Sequence, residues 1–141
     1  MKILLISDVH GDQKRLEAVH DYHLNAGDLC LNEKQFDSGK MIIVKGNNDF
    51  FMDAPYFRVF EIDGVKIMLT HGHHEGVKRG LTALVEKAKQ HHVQFCIFGH
   101  THERFLKNIE GITFVNPGAL GDYEHSYAIY ENGKIDFFQE V

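Results

Sequence analysis

Residues 2–11 read Lys2-Ile3-Leu4-Leu5-Ile6-Ser7-Asp8-Val9-His10-Gly11, an apolar run that stops at an acid, a histidine and a glycine. Because polar residues do not alternate with the apolar ones, Lys2–Ser7 is predicted to be a strand buried on both faces. The same design recurs downstream. Tyr22–Ala26 runs into Gly27-Asp28, and Met41–Lys45, with β-branched Ile42, Ile43 and Val44, runs into Gly46-Asn47-Asn48-Asp49. Val65–Thr70 runs into His71-Gly72-His73, and Val93–Phe98 into Gly99-His100-Thr101-His102. Each strand-like segment thus ends in Asp, Asn or His, the side chains whose oxygen and imidazole donors hold divalent cations.

Between these segments the spacing predicts a short helix over Asp12–His20 with Leu16 and Val19 inward, and a longer one over Val77–Gln90. In the latter Val77, Leu81, Leu84, Val85 and Ala88 recur at helical spacing. Tyr56–Asp63 and Val65–Thr70 form a predicted hairpin around Asp63-Gly64. Arg104–Ile109, Ile112–Val115, Ser126–Tyr130 and Lys134–Phe138 make a strand-rich last third, with Asn132-Gly133 as a hairpin turn. Strands alternating with helices in the first half imply parallel crossover units. The class expected is α/β, with two sheets packed face to face, helices outside, and the loops leaving the strand ends gathered on one rim. One domain is expected over residues 1–141, with no repeat or linker.

Along extended backbone, residues i and i+2 project to the same side, so Asp8 with His10, and His100 with His102, are expected to reach common points. Gly11 and Gly99 would permit sharp turns and close approach there. Asp8, His10, Asp28, Asn47, His71, His100 and His102 suffice for two metals at three or four protein ligands each, if one carboxylate bridges. Mixed imidazole, carboxylate and amide ligation suits Mn, Fe, Ni or Zn better than Ca or Mg.

Composition bounds the function. With 15 basic and 20 acidic residues the formal charge is −5, which argues against an extended nucleic-acid surface. Two divalent cations would bring the protein near neutrality. No apolar stretch approaches a membrane span, and Asp8 interrupts the N-terminal run too early for a signal peptide, so a cytoplasmic location is expected. Cys30 and Cys96 have neither disulfide-framework nor zinc spacing. Cys96, in Phe95-Cys96-Ile97-Phe98, is expected as a buried free thiol.

In order and spacing these signatures resemble the calcineurin-like metallophosphoesterases, whose pattern reads D-x-H, G-D, G-N-[HN]-[DE], H-G-H and G-H-x-H. The short chain, Thr70-His71-Gly72-His73 and Val115-Asn116-Pro117-Gly118 narrow the likeness to small YfcE-type phosphodiesterases. The resemblance implies a four-layer α/β/β/α sandwich of two mixed sheets and a binuclear centre, with manganese expected first and Ni, Zn or Fe as alternatives. Carried over by position, Asp8, His10, Asp28 and His102 would hold one metal. Asp28 as bridge, Asn47, His71 and His100 would hold the other. The implied function is hydrolysis of a small phosphate ester, most readily a diester, by a hydroxide held between the metals.

Two departures stand out. Asn48 occupies a place where many relatives carry His, which leaves His73 as the nearest candidate to protonate the leaving group. The interval from Asp8 to Asp28 is also short for the family, so the first helix is expected to be truncated and the pocket wall altered. Asp49 is expected to orient a neighbour by hydrogen bond, and Asn48 to serve as a turn residue. The aromatic stretch Phe50, Phe51, Tyr56, Phe57 and Phe60 is expected in the core, with a pocket lid or the interface of a homo-oligomer as the minor alternative. His20, His23, His91, His92 and His125 are expected at the surface or in local hydrogen bonds, and His74 exposed. The competing function is a retromer-subunit-like scaffold of the same fold. Such a scaffold tends to lose a site histidine, whereas His10, His71, His100 and His102 are all present here.

Overall fold

Ile3 and Leu5 leave the first strand toward one side and Leu4 and Ile6 toward the other, and all four are buried. A strand covered on both faces needs a layer on each; the second sheet covers Ile3 and Leu5, and Leu120 packs with Leu4 and Ile6 on the other side. The computed structural model describes residues 2–8, 22–28, 41–49, 54–121 and 125–139. The expected helix over Asp12–His20, and with it the pocket wall tied to the short Asp8–Asp28 interval, lies outside the described residues, as do His10, Gly11, Cys30, Phe50 and Phe51.

Among the described residues, ten strands form two mixed sheets of five. In the first, β1 (Lys2–Ile6), β2 (Tyr22–Asn25) and β3 (Met41–Ile43) run parallel. β9 (Ser126–Glu131) and β10 (Lys134–Gln139) extend it antiparallel in the order β10-β9-β1-β2-β3. In the second, β5 (Val65–Thr70), β6 (Phe95–Ile97) and β8 (Ile112–Pro117) run parallel. They are flanked by antiparallel β4 (Phe57–Ile62) and β7 (Arg104–Ile109) in the order β4-β5-β6-β8-β7. The expected α/β sandwich of two mixed sheets is the observed one.

The two-residue alternation of each strand distributes its side chains between layers. Ile3, Leu5 and Leu24 from the first sheet meet Ile67, Leu69, Ile97 and Val115 from the second in one core. Met68, Cys96 and Phe114 point from the other face of the second sheet onto the helix α1 (Thr82–Gln90), which buries Leu84, Val85 and Ala88. Cys96 is the buried free thiol the sequence led us to expect, and burial pushes its pKa up. An apolar cavity of about 130 Å³ opens between the sheets beside the turns at Asp63 and Asn132, away from the strand ends that carry Asp8, Asp28 and His71.

The helix expected over Val77–Gln90 is divided. A 3₁₀ turn covers Val77–Arg79, and α1 begins only at Thr82. Gly80, with φ 135° and ψ 174°, is outside the helical region and interrupts the run, although Val77 still reaches the same apolar cluster. Asp63-Gly64 and Asn132-Gly133 are the expected hairpin turns, each with both residues at positive φ. Glu110-Gly111 forms a third of the same kind, without the Asn or Asp that advertises such turns.

A polar clasp centred on Arg104 joins the sheets. Arg104, at the start of β7, donates from Nε to Ser126 Oγ (2.6 Å) and from Nη2 to the Phe138 carbonyl (2.8 Å). Ser126 Oγ in turn donates to the Pro117 carbonyl (2.8 Å). Arg104→Ala removes two bonds between strands of different sheets and is expected to lower unfolding free energy by about 1–3 kcal/mol in urea titration. An unchanged midpoint would show that the clasp is dispensable.

Candidate metal centre

The parallel strands deliver their carboxyl ends to one rim, and every described donor foreseen in the sequence sits there. Asp8 follows β1, Asp28 follows β2, Asn47 follows β3, His71 follows β5, and His100 and His102 follow β6. Asp8, Asp28 and His71 are buried, and one ligand atom from each lies within 4.8 Å of the others.

His71 is the hub. Its Nδ1 lies 2.8 Å from the Ala26 carbonyl, which can only accept, so that nitrogen carries the proton. Nε2 therefore turns into the rim. It lies 2.9 Å from Asn47 Oδ1, 3.2 Å from His100 Nδ1, 3.4 Å from Asp28 Oδ2 and 3.8 Å from Asp8 Oδ1. His102 Nε2 is 3.3 Å from Asp8 Oδ1, with its ring about a third exposed. Electron-pair donors converge from five loops on a space that calls for positive charge.

Titration reflects that demand. Burial works against protonation of His71, yet the carboxylates of Asp28 and Asp8 outweigh it and raise its pKa. Burial likewise disfavours the Asp28 carboxylate, but hydrogen bonding and charge from His71 and two bonds from Asn48 hold its pKa well below the usual range. His100 is shifted down, by burial and then by His71 and Lys78, which keeps an imidazole lone pair available. The donor set fits divalent cations: a proton on His71 Nε2 occupies the point where a metal would relieve the same charge.

The supporting contacts are specific. Asp8 Oδ2 accepts from Ser7 Oγ (2.8 Å) and the His100 N–H (3.0 Å), which leaves Oδ1 facing His71 and His102. Asp49 behaves as expected: its Oδ2 accepts the backbone N–H groups of Gly46 (2.8 Å) and Asp28 (2.7 Å), tying two rim loops together. Asn48, read as a turn residue, does more. Its N–H donates to Asp28 Oδ1 (2.9 Å) and its Nδ2 to Oδ2 (3.0 Å), which sets the plane of that carboxylate. Asn116, within Val115-Asn116-Pro117-Gly118, is a further tether. It is buried, donates from Nδ2 to the Gly99 carbonyl (3.2 Å) and Thr101 Oγ1 (3.0 Å), and accepts from the Gly118 N–H (2.9 Å). The Asn-Pro-Gly order was the available signal, because Asn characteristically accepts the N–H two residues on.

The backbone reaching the rim corrects the expectation drawn from extended strands. His100 (φ 72°) and His102 (φ 63°) are left-handed, and so are Asp8 (φ 53°) and Asp28 (φ 58°). Non-glycine residues avoid this region, and its concentration at one rim is the strain associated with functional sites. Gly99 permits close approach, as expected: a Cβ there would collide with Ser7 Oγ. A Cβ on Gly46 would collide with Asp28.

His73 stands beside the donors. Its ring centre is 5.4 Å from that of His71 and 6.1 Å from that of His100. Its Nδ1 is buried without a hydrogen-bond partner among the described residues. Burial, followed by the neighbouring imidazoles of His74, His71 and His100, pushes its pKa down to about 4. His74 is exposed as expected, and His125 makes a local bond to the Leu120 carbonyl. Phe60 packs against the core, whereas Tyr56, expected there, is 43% exposed.

A family model, the calcineurin-like phosphoesterase superfamily domain, matches residues 1–133. The chain belongs to this superfamily. A probable metallophosphoesterase of Mycoplasma pneumoniae is 33% identical over 84% of the chain and 79% of its own length. The phosphodiesterase MJ0936 of Methanocaldococcus jannaschii is 28% identical over 87% of the chain and 86% of its own. A solved structure of a predicted phosphoesterase from Streptococcus pneumoniae TIGR4 superposes with a TM-score of 0.84 at 29% identity, covering 98% of this chain and 88% of that one. The resemblance drawn from the motifs is thereby established for the family, and its members' fold is the one described above.

Asp49→Ala would release the Gly46 and Asp28 N–H groups from a common acceptor. Divalent-cation affinity should fall by about 10–100-fold in calorimetric titration of chelator-stripped protein, the range for residues that orient ligands. Unaltered affinity would mean that the loops hold their positions unaided.

Proposed function

We propose that this metallophosphoesterase-family chain is a phosphodiesterase that uses two divalent cations, manganese first among them. Asp8, His10, Asp28 and His102 would hold one cation, and Asp28, Asn47, His71 and His100 the other. The observation that carries this reading is the convergence of Asn47, His100, Asp28 and Asp8 on His71 Nε2. When bound, the cations would supply an acidified water nucleophile and positive charge for the phosphate oxygens.

The chain's own residues do the rest. Asn48 holds both Asp28 oxygens, which suits that carboxylate to sharing between two ions. Ala26 fixes the His71 tautomer, and Asn116 holds the loop carrying His100 and His102. Among the described residues, the side chains that converge on His71 Nε2 are carboxylates, an imidazole and an amide rather than ammonium or guanidinium groups, which matches a singly charged diester better than a dianionic monoester. The name of the M. jannaschii relative agrees with that preference. A scaffold would not need Asp8, Asp28, Asn47, His71, His100 and His102 kept together, and their convergence supports hydrolysis.

His73 is assigned to the substrate. An imidazolium there would bury a proton on Nδ1 with no acceptor among the described residues, so the neutral ring, donating from Nε2, is the form that fits. It would steady the phosphate or leaving oxygen by hydrogen bond. One assay tests both points. With manganese, a bis-aryl phosphodiester should be cleaved faster than the matching aryl monoester. His73→Ala should slow aryl and alkyl diesters alike by about tenfold, the worth of one hydrogen bond. Preference for the monoester would make the enzyme a phosphatase. Selective loss of alkyl-diester cleavage by about 10²-fold would make His73 the leaving-group acid.

A further inference from the structure

Tyr56 is a large aromatic residue left 43% exposed at the rim. The antiparallel register Phe57↔Thr70 places it beside the start of the His71–His74 loop. Its ring centre lies 4.3 Å from that of His74 and 5.5 Å from that of His73. His73 and His74 are 4.2 Å apart, and His73 is 5.4 Å from buried His71. Aromatic rings therefore step outward from the donor cluster to the surface. The Lys45 ammonium sits 5.5 Å from the centre of the Tyr56 ring, at the outer end.

The platform is anchored. The Lys45 N–H donates to the Pro55 carbonyl (2.8 Å), pinning the chain just before Tyr56. The Thr70 hydroxyl donates to buried Glu75 and lies 3.4 Å from the Tyr56 carbonyl. Glu75 in turn pairs with Lys87 of α1 at 3.8 Å. The loop bearing His73 and His74 and the turn bearing Tyr56 are thus held to the same framework.

An exposed, fixed aromatic face with a cation at its margin is the equipment for stacking a planar ring. Given the phosphodiesterase reading, on which this inference rests, we propose that Tyr56, flanked by His74, receives a nucleobase of the substrate, beyond the phosphate that His73 steadies. The hydrolysed diester is then a nucleotide ester, with the phosphate at the Asp8–Asp28–His71 cluster and the base about one sugar farther out, against Tyr56. Stacking also explains a surface Tyr whose ring neighbours are imidazoles instead of aliphatic core.

The test compares adenosine 5′-monophosphate, ribose 5-phosphate and phenyl phosphate as ligands of the zinc-loaded protein, followed by tyrosine ring resonances and by inhibition of diester cleavage. The nucleotide should bind about tenfold tighter than ribose 5-phosphate, within the range for one stacked base, and should shift the Tyr56 ring signals upfield. Phenyl phosphate, whose ring is too near the phosphorus to reach Tyr56, should lack that shift. Tyr56→Ala should bring the nucleotide-to-ribose-phosphate ratio toward one, while Tyr56→Phe retains it. A wild-type ratio near one in a protein that does cleave diesters overturns the platform alone. Equal gain by phenyl phosphate overturns the nucleobase assignment. A protein that shows the nucleotide preference but cleaves no diester upholds the platform and refutes the hydrolase reading.

Discussion

The hydrogen bond from His71 Nδ1 to the Ala26 carbonyl ties the two sheets together where the chemistry lies. Ala26 follows β2 of the first sheet and His71 follows β5 of the second, so a 2.8 Å contact sets the spacing of the two rims. Because a carbonyl accepts only, the same contact dictates the tautomer and points the remaining nitrogen at Asn47, His100 and the carboxylates of Asp28 and Asp8. Loss of this bond would strand a buried acceptor and free the central imidazole to turn.

Around that bond the structure accepts local strain and offsets it by tethering. Asp8, Asp28, His100 and His102 all occupy left-handed backbone, each costing on the order of 1–2 kcal/mol. Each segment is fastened close by. The Asp8 N–H donates to the Gly27 carbonyl and the Asp28 N–H to Asp49, while Asn116 holds the carbonyl of Gly99. The doubly covered strands beneath supply the rigidity against which this geometry can be held. The result is a preorganised cluster of lone pairs whose repulsion a cation would relieve.

Much of this was legible in the sequence because it is periodic or local. Ile3–Ile6 reads as a doubly buried strand, the segments before Asp28 and Asn47 read as its parallel companions, those before His71 and His100 read as further strands, and Asp63-Gly64 and Asn132-Gly133 read as turns. What escaped depends on backbone torsion or on partners distant in sequence. Gly80 divides the helix because its dihedrals leave the helical region, which apolar spacing does not reveal. The left-handed turns at His100 and His102 replace the extended geometry from which their convergence was expected. Asn48 and Asn116 act on Asp28 and Gly99, partners brought near only by the fold. Tyr56 reads as core by composition, yet it emerges at the rim just before β4. His10 and the segment from Val9 to Asp21 fall outside the described residues, so the expectations placed on them stand as proposals.

The central claim, that two cations share Asp28, is tested most directly by counting metal in wild-type protein and in Asp28→Asn after equilibration with manganese and removal of the excess. The account predicts two ions per chain in the wild type and depletion at both positions in the variant, to below one per chain. A single ion in the wild type, or two retained in Asp28→Asn, would contradict it.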